Sequence, residues 1–368
     1  MNLTKKLLAD LISFKSITPN GDEAICYCSR FLENLGFRCY ILKFGDVSNL
    51  YAKLGNSSKN ICFAGHIDVV PPMDNWDTNP FELIENGDAL YGRGTNDMKG
   101  PLAACFAAIS EYIEHHNNLD FSISIILTSD EEIMGENGTK KLIKHLKQNN
   151  EKITGCVLCE SCSPKESGEY IKIGCRGSLN IDIKSEGPQC HVVSGKSFGN
   201  HLHNFVANIS DFCKIKLDDG NSSFSPSDIE LTSIDSGNEI RNIIPSEIVA
   251  KFNIRFNNLW DFDKLESFIK KSFPNFIISF ERFGTPFIGS NLDFIDFLSK
   301  SLKKSLGKSP EIGTTGGNSD ALSIRELTNV VEIGSPISNA HIINEFILKS
   351  DLIKLKKIYY NIILDFGN

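Results

Sequence analysis

The sequence predicts an α/β protein in which a mixed, largely parallel sheet is flanked by helices and a smaller α+β domain is inserted. Three observations carry this. Helical and strand periodicities alternate through the first half, strands dominate between residues 178 and 287, and βα character returns after Pro286. A chain of 368 residues also exceeds one core of ordinary size, so two domains are expected. Their predicted bounds are 1–177 with 288–368 for the larger, discontinuous domain, and 178–287 for the insertion.

The elements follow in order. Leu3, Leu7, Leu8, Leu11 and Ile12 recur at helical spacing, and Ala24 to Leu35 reads as a second helix closed by Gly36. Apolar strands are expected at Phe37–Leu42, Asn49–Leu54 and Ile61–Gly65. Pro101 to His115 is a helix with proline near its first turn. A strand at Phe121–Leu127, a helix at Lys140–Lys147 and a strand at Ile153–Cys159 complete the first half. In the insertion, strands at Ser178–Lys184, Asp228–Ile234 and Glu247–Phe256 accompany helices at His201–Cys213 and Phe262–Phe273. Beyond it come a helix at Leu292–Leu306, a Gly/Thr-rich loop, a strand at Val330–Ile333 and a last helix from Asp351.

Composition excludes several function classes. No apolar run approaches the ~20 residues that cross a bilayer, and Asp10 interrupts the N-terminal stretch where a secretory signal needs an apolar core, so a cytoplasmic protein is expected. The formal net charge of -8 argues against a nucleic-acid partner, which requires a basic face. Eleven cysteines, mostly within apolar stretches, read as reduced thiols acting as small hydrophobes. The spacing Cys156-x-x-Cys159-x-x-Cys162 resembles part of an iron–sulfur or zinc site, but Cys156-Val-Leu-Cys159 reads better as a buried strand.

Chemistry concentrates where predicted strands end, which is where open α/β sheets build their sites. His66 and Asp68 follow the strand Ile61–Gly65, and an acid two residues on can fix the second ring nitrogen of a metal-binding histidine. Asp97 lies in the Gly-bounded turn Gly92–Gly100, and Asp130-Glu131-Glu132 follows the strand Phe121–Leu127. Glu160 comes directly after Cys159, and His341 follows Val330–Ile333. Two imidazoles, three carboxylates and one spare carboxylate suit two Zn²⁺ ions sharing a bridging carboxylate.

The ordered set resembles the co-catalytic zinc family of aminoacylases, deacylases and carboxypeptidases. The resemblance spans nearly the whole chain and rests on Phe63–Pro72, Gly92–Gly100, Thr128–Glu132, Arg176-Gly177-Ser178-Leu179, Asn242–Pro245, Asn253–Phe256 and Thr314–Asp320. It implies a zinc-peptidase-like catalytic domain with an inserted lid and dimerisation domain. It further implies two Zn²⁺ per subunit, with Co²⁺ able to take the second site. Carried over by position, Asp97 bridges the ions, His66 and Glu160 complete one site, and Glu132 and His341 the other. Glu131 is the implied general base and Asp68 the residue that orients His66. His191 matches a histidine donated across a homodimer interface, and Arg176, Ser178, Asn242, Arg255, Thr315, Gly316 and Gly317 match positions that hold substrate carboxylates.

The implied activity is hydrolysis of N-succinyl-LL-2,6-diaminopimelate to succinate and LL-2,6-diaminopimelate, a step towards lysine and cell-wall precursors. A sibling reading is deacylation of another N-acyl amino acid such as N-acetylornithine, and a third is a zinc-binding dimer with impaired turnover. The chain departs from the family pattern at Cys190 and Ser194 beside His191, at Ser161-Cys162 after Glu160, and at Ile337 and Asn339 before His341. Those changes fall on the substrate grip and spare every expected metal ligand.

Overall fold

A computed structural model describes residues 2–116, 119–133 and 135–368. The chain divides into two compact units, Met1–Gly174 with Gly289–Asn368, and Cys175–Ile288.

The first unit is built on an eight-stranded sheet in the order Arg38–Phe44, Val47–Leu54, Ser122–Thr128, Asn60–His66, Gly155–Leu158, Val330–Glu332, Tyr170–Lys172 and Glu311–Gly313. The strands Ser122–Thr128, Asn60–His66, Gly155–Leu158 and Val330–Glu332 run parallel to one another. They are buried along their whole length, as strands covered on both faces should be. Antiparallel pairing is confined to the flanks: the hairpin Arg38–Phe44/Val47–Leu54 on one side and the Tyr170–Lys172 contact on the other. The fold is therefore α/β with a mixed, largely parallel sheet flanked by helices.

The helix Lys99–His115 is buried along most of its length because it packs against both Asn2–Ser13 and Lys349–Gly367. Thr139–Gln148 lies against the strands Val47–Leu54 and Ser122–Thr128. Register aligns the strand ends: His66 pairs with Thr128, Ala64 with Leu158, and Leu158 with Glu332. The residues that follow each strand therefore emerge along one edge of the sheet.

The second unit is a four-stranded antiparallel sheet in the order Asp228–Asp235, Glu247–Phe256, Gly177–Glu186 and Ile277–Gly284. Alternate residues of Gly177–Glu186 and Glu247–Phe256 are buried. With the helices His201–Phe212 and Phe262–Ser272 they form a core that includes Phe205, Phe212, Phe252, Phe256 and Phe273. The strand Ile277–Gly284 was not among the sequence expectations. Cys156, Cys159 and Cys162 are free thiols and buried. No described helix is long and apolar enough to cross a membrane.

Candidate metal centre

His66 is the last residue of its strand, and its imidazole is buried. Its Nδ1 lies 3.0 Å from the backbone carbonyl of Asp68, which leaves Nε2 facing the carboxylates. The Asp68 carboxylate is farther from Nδ1, at 3.6 Å, and accepts the Glu132 N–H at 3.1 Å instead. The sequence expected the side chain of Asp68 to orient His66. The structure places its carbonyl nearer, while the carboxylate ties the Glu132 backbone to the same corner.

Asp97 stands between two histidines. Its Oδ1 is 3.2 Å from His66 Nε2 and its Oδ2 is 3.2 Å from His341 Nε2. Glu132 meets the same His341 nitrogen at 3.0 Å. Glu160 Oε2 lies 3.7 Å and Glu131 Oε2 4.0 Å from His66 Nε2. All five expected ligands and Glu131 thus converge.

The arrangement fits metal ions. Glu160 Oε1 accepts the Ser161 N–H at 3.0 Å, whereas its buried Oε2 has no hydrogen-bond partner. Buried carboxylate oxygens are costly without a donor, and a cation satisfies them. Donor atoms of His66, Asp97 and Glu132 lie within 4.8 Å of one another, so the two expected ligand sets meet around Asp97.

The turn that presents Asp97 is held by Glu345, a residue the sequence analysis did not single out. Glu345 is buried, and its Oε1 accepts the N–H groups of Asn96 at 2.8 Å and Asp97 at 3.0 Å. Its Oε2 accepts the Gly94 N–H at 3.1 Å and the Arg93 guanidinium at 2.8 Å. The available signal was Arg93 itself, since an arginine inside a tight glycine-bounded turn needs a carboxylate if it is buried. Lys99, also buried, donates from Nζ to the carbonyls of Leu11 at 2.9 Å and Phe14 at 3.1 Å, tying the first helix to this turn.

The charges respond to one another. Burial opposes ionisation of Asp97, yet the hydrogen bonds from His341 and His66 hold its carboxyl well below the usual range. Burial likewise disfavours the imidazolium of His66, but Asp97, Glu131 and Glu160 push it well above its ordinary value. His341 is raised to about 10 by its hydrogen bonds to Asp97 and Glu132. Burial drives the carboxyls of Glu131 and Glu160 well upward. Too many acids share too little water, which is the condition a bound cation relieves.

The remaining expected residues fall into two groups. Thr315, Gly316 and Gly317 belong to the first unit, where the Thr315 N–H donates to Tyr170 Oη at 3.1 Å. Arg176, Ser178, His191, Asn242 and Arg255 belong to the second unit. There Ser178 and Arg255 are register partners on neighbouring strands. Arg176 donates to Asp228 at 2.6 Å and to the Pro226 carbonyl at 2.7 Å, and Arg255 donates from Nε to Asn253 at 2.9 Å. His191 is exposed, and its Nδ1 accepts the Val193 N–H at 3.3 Å.

Comparison with known proteins gives a consistent picture. Residues 62–365 match the peptidase family M20/M25/M40. The succinyl-diaminopimelate desuccinylase of Orientia tsutsugamushi strain Ikeda is 39% identical over 365 residues, covering 97% of this chain and 94% of that protein. The enzyme of the same name from Ehrlichia canis strain Jake is 40% identical over 374 residues, covering 99% and 98%. Among solved structures, the M20 family metallo-carboxypeptidase Sso-CP2 of Sulfolobus solfataricus superposes with a TM-score of 0.82 at 20% identity, covering 100% of both chains, and so shares the fold.

Proposed function

The chain belongs to the peptidase family M20/M25/M40, and from that premise we propose that it hydrolyses N-succinyl-LL-2,6-diaminopimelate to succinate and LL-2,6-diaminopimelate. It is a metal-dependent hydrolase. The observation that carries the reading is Asp97 reaching both histidines while Glu131 remains beside them as an additional carboxylate. Identity of 39% and 40% to two desuccinylases over almost the whole chain supports the substrate.

His66, Glu160 and Asp97 would hold one ion, and His341, Glu132 and Asp97 the other, both zinc or the second cobalt. Two such ions, when bound, lower the pKa of water towards ~7 and polarise a carbonyl. Glu131 takes the proton of the attacking water on its carboxylate and delivers it to the departing amide nitrogen. Burial pushes its carboxyl above the usual range, the direction that makes the carboxylate a stronger base. Asp68 fixes the ring of His66 through its carbonyl.

Arg176, Arg255, Ser178, Asn242, Thr315, Gly316 and Gly317 are the residues proposed to bind substrate carboxylates. Arg176 would exchange its bond to Asp228 for the substrate. His191, reaching the site from the partner subunit of a homodimer, stabilises the negative charge that develops on the amide oxygen. The free cysteines support a reducing compartment, and the cytoplasm is the proposed location.

The test is succinate release from N-succinyl-LL-2,6-diaminopimelate by zinc-loaded protein, with N-acetylornithine in parallel. Preference for the succinyl compound is expected; preference for the acetyl compound would overturn the substrate. A fully active monomer in sedimentation would remove the role given to His191.

A further inference from the structure

Behind the Thr315–Gly317 loop lies a buried ion pair that the reaction does not use. Lys172 Nζ and Glu332 Oε2 are 2.8 Å apart, with side chains 3% and 2% exposed. The lysine also donates to the Gly317 carbonyl at 2.7 Å. The other oxygen of Glu332 accepts the Ser319 hydroxyl at 2.7 Å. Two residues towards the N-terminus on the same strand, Tyr170 accepts the Thr315 N–H at 3.1 Å. The loop is therefore held at Thr315, Gly317 and Ser319 by two neighbouring strands of the sheet.

Desolvating two charges seldom stabilises a fold more than apolar residues of the same volume would, so such a pair calls for another account. The glycines give one. Gly316 adopts φ +98, a conformation that L side chains rarely adopt. Gly317 has no such requirement, and no atom lies within 4 Å of where its Cβ would stand. Neither packing nor backbone strain demands glycine there, but backbone left open to an incoming anion does.

We infer that Lys172 and Glu332 are positioning residues that set the Thr315–Gly317 backbone to receive a substrate carboxylate. The inference rests on the carboxylate-binding role proposed for that loop. Loss of the pair weakens substrate binding and leaves the chemical step intact, because neither side chain belongs to the metal centre.

Two variants test this. Ser319→Ala removes one tether, and Lys172→Met with Glu332→Leu replaces both charges together, so neither is left buried alone. The expected result is a KM for N-succinyl-LL-2,6-diaminopimelate raised by about tenfold or more, equivalent to one lost charged hydrogen bond, with kcat within about twofold. Metal content should stay at the wild-type value. An unchanged KM, or a loss confined to kcat, overturns the inference. If the wild-type protein does not hydrolyse this substrate, the proposed function fails first. Amide hydrogen exchange across residues 314–319 then decides the pair: exchange accelerated in this loop but not in the neighbouring strands supports it, and unaltered loop exchange rejects it.

Discussion

Glu345 accepts the backbone N–H of Asp97 at 3.0 Å, so the carboxylate that would bridge two ions is itself aimed by a second, buried carboxylate. The same group balances the Arg93 guanidinium at 2.8 Å.

Replacing Glu345 by glutamine keeps the shape and removes the charge. Arg93 is then buried without its counter-ion, and the loss of unfolding free energy should reach about 3 kcal/mol by urea denaturation. Metal affinity should fall as well, because the turn carrying Asp97 loosens. Unchanged affinity would show that the turn holds its conformation without this carboxylate.

Glu131→Ala separates base from ligand. Turnover should drop by about 10²- to 10⁴-fold while elemental analysis still finds two ions per chain. Loss of an ion along with activity would mean that Glu131 is a ligand and that the assignments of Glu131 and Glu132 are reversed.

The two histidines should not be equivalent. His341 is 49% exposed, whereas His66 is 1% exposed beside Asp68. His341→Ala should release one ion and leave the other bound. Isothermal titration of chelated protein with zinc would then show one tight equivalent where the wild type shows two.

Stability without metal should fall as pH rises. Asp320 is raised from 3.8 to about 7, and Asp68 to about 6, in both cases chiefly by burial. A group whose pKa is higher in the folded state than in the unfolded chain contributes stability that is complete below pH 3.8. That contribution is lost as pH climbs through the folded value. His341, raised to about 10, acts in the same direction at higher pH. Thermal melts of chelated protein from pH 4.5 to 8 should therefore decline, and Asp320→Asn should flatten the part below about 7. Zinc-loaded protein should decline less, since the cation favours the ionised carboxylates.

Much of this was legible in the sequence for a physical reason. Asn60–His66 is a buried, largely apolar run that ends on His66, and Ser122–Thr128, buried along its whole length, is followed within four residues by Glu131 and Glu132. Three-residue strands such as Tyr170–Lys172 and Glu311–Gly313 are too short for any periodicity to show. Ile277–Gly284 escaped notice because its outward positions, Glu281 and Phe283 among them, mix charge with exposed apolar surface. Glu345 acts through backbone N–H groups 248 and 249 positions away, and no local pattern records such a contact. The carbonyl of Asp68 was likewise invisible, since a residue's letter says nothing about its main chain.

The interrupted first unit sets an order on synthesis. His341 and Glu345 lie beyond the segment Cys175–Ile288, yet one meets the Asp97 carboxylate and the other fixes its backbone. A ribosome must have passed the whole of Cys175–Ile288 before either contact can exist. Until then the growing chain carries His66, Asp97, Glu132 and Glu160 without their last partners. A premature stop anywhere upstream of His341 leaves a product that cannot assemble the second ligand set at all.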